Sequence, residues 1–325
     1  MTKKIPLVIL VGPTAIGKTE VSIEIAKKLN GEIISADSAQ IYKYMNIGTA
    51  KIKEEEKEGI PHYLIDIVNP DEEFTVADYK ELATKYVEDI YNRGKTPIVV
   101  GGTGLYVNSL VYDLNFIDVP PRDEFREKCN KIADEYGNKY IYNKLKEIDP
   151  NSSNRINVND RKRIIRALEV YNETGKPMSR FYKDSRKCNE KYNVIIMGLT
   201  MERKVLYNRI NSRVDKMIEE GLIEEVKQIL DMGYSEELNS LKALGYKEII
   251  LYLKGEKTLD ETLTLLKRNT RRFAKRQLTW FRKDKKIKWI NLDDFKNKYE
   301  VINYIIKYIK CELNLINKGG KYFER

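Results

Sequence analysis

Two hydrophobic textures alternate in the first part of the chain. Ile5-Pro6-Leu7-Val8-Ile9-Leu10-Val11 is an unbroken apolar run ending at Gly12, the pattern of a parallel strand covered on both faces. Directly after it, Val21, Ile25 and Leu29 recur at a spacing of four with Ile23 and Ala26 beside them, which predicts an amphipathic helix stopped by Asn30-Gly31. Glu32-Ile33-Ile34-Ser35 predicts a second strand, Tyr63 to Val68 a third, and Pro97-Ile98-Val99-Val100 before Gly101-Gly102 a fourth. A helix is expected from about Thr75 to Tyr91. Strands and helices in this order predict an α/β fold: a parallel sheet with helices on both faces.

After Val119 the pattern changes. Pro120-Pro121 interrupts the chain, and from Arg122 to Tyr182 the sequence is charged, helical in period and poor in strand signals. Tyr192 to Leu199 restores a strand, and helical periodicity resumes from Met201 to about Lys283. The expected organisation is a discontinuous core of residues 1–118 and 191–290, an inserted all-helical domain over 119–190, and a peripheral Lys/Asn-rich tail over 291–325. No internal repeat or low-complexity linker interrupts it.

Charge narrows the range of partners. Among 325 residues, 59 Lys+Arg against 49 Asp+Glu give a net charge of +10. The first hundred residues carry a net −3 and the remainder +13, so an acidic front precedes a basic remainder suited to a polyanion. Charge alone leaves open a surplus scattered over solvated helices. The cysteines Cys129, Cys188 and Cys311 are odd in number and far apart, and His62 is the sole histidine. That argues against a disulfide scaffold or a zinc site. No stretch reaches 18 consecutive apolar residues and the start lacks a secretory pattern, so a cytoplasmic protein without membrane contact, acting as a monomer, is expected.

The sharpest motif is Gly12-Pro13-Thr14-Ala15-Ile16-Gly17-Lys18-Thr19, a complete G-x-x-x-x-G-K-[ST] between a strand and a helix. Glycines let successive N–H groups turn inward around a phosphate, the helix N-terminus adds partial positive charge, Lys18 adds an ammonium, and Thr19 offers a hydroxyl to Mg²⁺. The loop indicates a phosphate or pyrophosphate, ATP included, without indicating ATP hydrolysis. At the end of the second strand, Asp37 in Ser35-Ala36-Asp37-Ser38-Ala39-Gln40 is placed for a general base, although Asp-Ser equally suits a helix cap. Gly101-Gly102-Thr103-Gly104 ends the fourth strand, where a ligand or only a tight turn would explain the glycines. Arg161, Lys162, Arg163 and Arg166 place four positive charges in six residues, and Lys267 to Lys286 holds ten Lys or Arg among Phe273, Trp280 and Phe281. Both segments suit a nucleic-acid backbone.

Together these segments resemble the tRNA dimethylallyltransferases, also called tRNA isopentenyltransferases. The resemblance rests on Gly12 to Thr19, Asp37-Ser38-Ala39-Gln40-Ile41-Tyr42, Ile47-Gly48-Thr49-Ala50-Lys51 and Gly101 to Tyr106. It continues through Asn159 to Glu169, Gly245-Tyr246-Lys247-Glu248 and Arg276-Gln277-Leu278-Thr279-Trp280-Phe281-Arg282. It implies a P-loop NTPase-like core and transfer of a dimethylallyl group from dimethylallyl diphosphate to the exocyclic amine of the adenine 3′ of the anticodon, with Mg²⁺. Gly12 to Thr19 would hold the diphosphate with Thr103 and Arg213, Arg209 being the competing arginine. Asp37 would be the base. Ser38, Ala39 and Gln40 would meet the RNA, as would Arg161, Lys162, Arg163, Arg166, Lys242, Gly245, Tyr246, Lys247, Lys275, Arg276, Gln277, Trp280 and Arg282.

Three other readings share parts of this pattern. A P-loop kinase of a small metabolite would use Asp37 to deprotonate a hydroxyl and would need a carboxylate for magnesium, for which Asp66 is the candidate. A related branch prenylates free adenine nucleotides, and the basic segments favour tRNA over that branch. A non-catalytic RNA-binding protein fits the charge but leaves Lys18, Thr19 and Asp37 unexplained.

Overall fold

In the first strand, β1 (Ile5–Val11), Leu7 to Val11 have no solvent exposure, as an apolar run covered on both faces requires. A computed structural model describes residues 4–114, 119–120, 122–181 and 187–313. It separates into two units: residues up to 111 together with those from 190 onward, and residues 112–189.

The larger unit is built on six strands, β1, β2 (Gly31–Ala36), β3 (His62–Tyr63), β4 (Thr96–Gly101), β5 (Tyr192–Thr200) and β6 (Lys288–Asn291), all parallel, in the order β3-β2-β4-β1-β5-β6. Register decides where chemistry can occur. Gly101 lies opposite Val11 on one side and Ala36 on the other, so β1, β4 and β2 release their following loops at one level of the sheet. Ligands of open parallel sheets bind at that carboxyl edge.

Helix α1 (Lys18–Leu29) starts from Gly17, whose φ of 97° glycine alone adopts easily, and ends at Asn30 in the left-handed conformation. With α13 (Lys298–Glu312) it places Val21, Ile25, Val301, Ile305 and Ile309 in the main core. Helix α2 (Val76–Asn92) opens with a capping box between Thr75 and Asp78, and α3 (Gly104–Val111) follows β4.

The 112–189 unit is helical in its described residues: α4 (Asp123–Tyr136), α5 (Asn138–Ile148), α6 (Pro150–Ser153), α7 (Arg161–Thr174) and α8 (Met178–Phe181). Its own core gathers Cys129, Ile141, Leu145, Ile164, Leu168 and Val170. Back in the larger unit come α9 (Arg203–Glu219), α10 (Leu222–Asp231), α11 (Tyr246–Leu253), α12 (Leu259–Phe281) and α13 (Lys298–Glu312). None of the described helices is long and apolar enough to cross a membrane.

Four expectations need correction. The third strand stops at Tyr63, because Leu64 and Asp66 adopt positive φ of 61° and 56° and the ladder cannot continue through them. Asp66 therefore ends no strand, and its carboxylate pairs with Lys51 instead. The tail after 291 is not peripheral: α13 buries Val301, Ile305 and Ile309 in the main core, and the short strand β6 precedes it. The helical unit begins at 112, not 119, where Tyr112 bridges antiparallel to Cys188. Tyr182 lies outside the described residues.

Candidate active site

The loop after β1 is held by side chains from distant parts of the chain. Lys18 Nζ donates to the carbonyls of Gly12 (3.0 Å) and Pro13 (2.9 Å), closing the loop on itself. Thr14 N–H donates to Gln277 Oε1 (2.9 Å), and Gln277 Nε2 donates to the Gly102 carbonyl (3.1 Å). Gln277 on α12 thus ties the loop after β1 to the turn after β4. Burial pushes the Lys18 ammonium down to about 8; neighbouring Asp37 opposes that fall and Arg213 adds to it. Arg213 is lowered too, by burial first, with Asp37 again opposing. Lys18, Asp37 and Arg213 therefore form one electrostatic group.

Asp37 leaves the end of β2 in a turn closed by its own Oδ1, which accepts from Ala39 N–H (3.0 Å). This is an Asx turn and not the start of a helix, which removes the capping alternative. Thr103 Oγ1 accepts from Ser38 N–H (3.0 Å) and lies 3.2 Å from the Ser38 hydroxyl. Gln40 is spent on the fold as well: Oε1 accepts from Ser35 (3.2 Å) while Nε2 donates to the carbonyls of Thr49 (3.2 Å) and Ala50 (3.3 Å).

Two cavities meet at this group. The larger, about 570 Å³, is lined by the loop from Thr14 to Thr19, by Glu56 and by Arg209. The smaller, about 300 Å³, has an apolar wall of Ile210, Val214, Met217, Leu266 and Leu244 and a basic rim of Lys242, Lys247 and Arg276. Thr14, Asp37, Thr49, Ala50, Arg213 and Phe273 line both. Asp37 thus faces a polar chamber on one side and a partly apolar one on the other. Of the competing arginines, Arg209 lines only the larger cavity, near Gly17, whereas Arg213 stands at the junction.

Several residues expected at an RNA surface are buried or engaged by other side chains. Gln277 is buried with its carboxamide engaged and lines the larger cavity, and Tyr246 is fully buried with its hydroxyl donating to Glu225 (2.6 Å). Gly245 is buried, its N–H bound to Glu248, and lines the smaller cavity. Thr103 is not among the described lining of either cavity; its hydroxyl braces the Asp37-Ser38 turn. In the helical unit, Arg166 is locked to the fully buried Glu169 with Arg126, and Arg161 is held by Asp134 and Asn138. Lys162 and Arg163 are exposed, as are Lys275, Arg276 and Arg282. Trp280 lies half-exposed against Gly104. Ser38 and Ala39 line the smaller cavity. Residues the motifs did not single out include Glu225 and the apolar wall, neither of which has a local signature.

A phosphate-binding loop, a carboxylate at its open side and a second cavity reaching the same carboxylate are the layout of an enzyme that joins a phosphorylated donor to a separate acceptor. A family model described as IPP transferase matches residues 40–284. The chain is 55% identical over 303 residues, 93% of its length and 97% of the relative's, to the tRNA dimethylallyltransferase of Acetivibrio thermocellus. It is 54% identical, over 95% of its length and 98% of the relative's, to that of Alkaliphilus oremlandii. Among solved structures, the full-length tRNA isopentenylpyrophosphate transferase of Bacillus halodurans superposes with a TM-score of 0.71 at 45% identity, covering 96% of this chain and 99% of that one. A eukaryotic dimethylallyltransferase solved acting on tRNA superposes with a TM-score of 0.76 at 28% identity, covering 98% of this chain and 81% of that one. The chain belongs to the IPP transferase family.

Proposed function

We propose that this protein transfers the dimethylallyl group of dimethylallyl diphosphate to N6 of the adenine immediately 3′ of the anticodon in tRNA, releasing diphosphate. The observation that carries the reading is the shared wall at Asp37 and Arg213, with a phosphate chamber on one side and an apolar chamber with a basic rim on the other. The donor enters with its diphosphate against the loop and its five-carbon end toward the junction. The adenine, drawn out of its stack, enters past Lys242, Lys247 and Arg276. Exposed Lys162 and Arg163 of the helical unit, Lys275 of α12 and Arg282 just after it supply further phosphate contacts.

At the junction N6 attacks C1 of the allyl group while the bond from C1 to the diphosphate oxygen breaks. The electron pair leaves with the diphosphate, where the ammonium of Lys18, the guanidinium of Arg213 and the loop N–H groups offset the new charge. The N6 proton passes to Asp37, whose second oxygen is not used by Ala39. An aromatic amine is too weak an acid to lose that proton first, so its removal accompanies formation of the carbon–nitrogen bond. Mg²⁺ fits the donor set: Thr19 opens into the larger cavity with Glu56 and Asp37, and no cluster of three acidic, His or Cys ligands exists among the described residues, so diphosphate oxygens and water would complete the shell. Bound there, the ion would neutralise the leaving diphosphate.

A small-metabolite kinase would need a strand-end carboxylate for its metal, and Asp66 is withdrawn from that role by its turn and by Lys51. Asp37→Asn tests the transferase reading: tRNA affinity is expected within about twofold of the parent while transfer falls by about 10² to 10⁴. Equal transfer rates in variant and parent would remove Asp37 as the base.

A further inference from the structure

Glu225 sits in the first turn of the amphipathic helix α10, only 8% exposed, where a glutamate would ordinarily face water. Its carboxylate is instead the acceptor of a nearly complete set of donors from two other parts of the chain. Oε2 accepts from Asn46 N–H (2.9 Å) and Ile47 N–H (2.7 Å), and Oε1 accepts from Gly48 N–H (3.1 Å) and the Tyr246 hydroxyl (2.6 Å). Three consecutive backbone N–H groups turned onto one carboxylate fix the path of the segment, since each would otherwise be left without an acceptor in a partly buried place. Gly48 completes the fit: a Cβ there would stand 2.5 Å from the Tyr246 ring. The segment beyond it lines both cavities through Thr49 and Ala50, whose carbonyls receive Gln40.

We infer that Glu225 is a positioning residue for the transfer reaction: through residues 46–48 it holds the Thr49-Ala50 wall that closes the junction between the two cavities against water. The inference rests on the proposed transferase reading. It gives Gly48 and Tyr246 a shared role with Glu225 in building the wall of the reaction chamber, away from the RNA surface. When the wall is loosened, water reaches C1 of the bound donor. Water then attacks C1, the bond to diphosphate breaks, and dimethylallyl alcohol, diphosphate and a proton are released without transfer to RNA.

The test compares parent, Glu225→Gln and Tyr246→Phe as full chains, with dimethylallyl diphosphate, Mg²⁺ and unmodified tRNA, measuring diphosphate released and allyl group transferred in the same reaction. In the parent the two are equal. In Glu225→Gln, kcat for transfer is expected to fall about tenfold or more, the KM for dimethylallyl diphosphate to stay within about threefold, and diphosphate release to exceed transfer. Tyr246→Phe, which loses one of the four donors, is expected to move the ratio in the same direction by less. A variant with parental kcat and ratio would overturn the proposal. So would a Glu225→Gln enzyme whose release and transfer fall together with the ratio unchanged, since that is the mark of a smaller folded fraction. If Glu225→Gln does not fold, the Tyr246→Phe ratio decides alone. A parent that transfers nothing to tRNA would refute the transferase reading itself, an outcome visible before any variant is compared.

Discussion

Replacing Gln277 by alanine isolates the link between α12 and the phosphate-binding loop. The substitution removes two hydrogen bonds, from Thr14 N–H at 2.9 Å and to the Gly102 carbonyl at 3.1 Å. Each such bond contributes about 1 kcal/mol net, so the pair contributes about 2 kcal/mol, with the unpaired Gly102 carbonyl the more costly loss because it is buried. The part carried by Thr14 bears on the shape of the loop. If about 0.8 kcal/mol of ordering is lost there, the fraction of molecules with a closed loop falls about fourfold and the apparent Kd for pyrophosphate rises by the same factor. Calorimetric titration with pyrophosphate and Mg²⁺ reads that change, and urea unfolding reads the stability loss. Gln277→Met keeps the length and volume without the polar atoms, so it should reproduce the affinity loss with a smaller stability loss. Pyrophosphate affinity within twofold of the parent together with weakened tRNA binding would refute the clamp and return Gln277 to the RNA surface.

Other consequences are equally open to measurement. With Lys18 lowered to about 8, its ammonium is charged below that pH and lost above it, so pyrophosphate affinity should hold from pH 6 to 7.5 and weaken progressively above pH 8; an affinity that does not change up to pH 9.5 would contradict the placement of Lys18 against the ligand. Glu32, buried and bonded to Arg93, Lys95 and Tyr63, has its carboxyl lowered from 4.5 to about 2, chiefly by the Arg93 hydrogen bonds, with burial opposing. The folded value lies below the unfolded one, so the stabilisation is present above about pH 4.5 and fades toward pH 2; Glu32→Gln should cost about 2 to 3 kcal/mol at pH 7 and much less at pH 2.5, and a pH-independent difference would exclude the ionised carboxylate as its source. In the helical unit, Arg163→Ala should weaken tRNA binding and lower its salt slope by about one with melting unchanged, whereas Arg166→Ala, which strips a partner from buried Glu169, should cost about 2 kcal/mol of stability. The opposite pattern would reverse the two assignments.

The fold was legible where apolar periodicity was strong. β1, α1, β4 and β5 follow from unbroken or four-spaced apolar residues, and the glycine loop between β1 and α1 from its own motif. β6 escaped notice because Lys288-Trp289-Ile290-Asn291 is a short edge strand paired on one side, with little apolar sequence to mark it. The third strand was overread because Leu64 and Ile65 look like strand residues, while the positive φ of Leu64 is imposed by tertiary structure. In the site, the positions of Lys18, Thr19 and Asp37 at the carboxyl edge of the sheet were legible because they follow from the strand ends and the loop motif. A motif marks Tyr246 without saying whether it faces the ligand or holds the wall behind it, and the structure buries it fully. Glu225 carries no mark at all, since three of its four donors lie 177 to 179 residues away and the fourth 21.

In the proposed reaction, Asp37 serves a chamber in which an allyl diphosphate meets an adenine of tRNA. The most direct test incubates the protein with Mg²⁺, unmodified tRNA carrying adenine 3′ of the anticodon, and either dimethylallyl diphosphate or ATP, and then measures the mass of that nucleoside. A gain of one five-carbon unit with the allyl donor, and no gain with ATP, is the predicted result. An unchanged nucleoside alongside consumption of ATP in the presence of a small hydroxyl acceptor would contradict the account and make the protein a kinase.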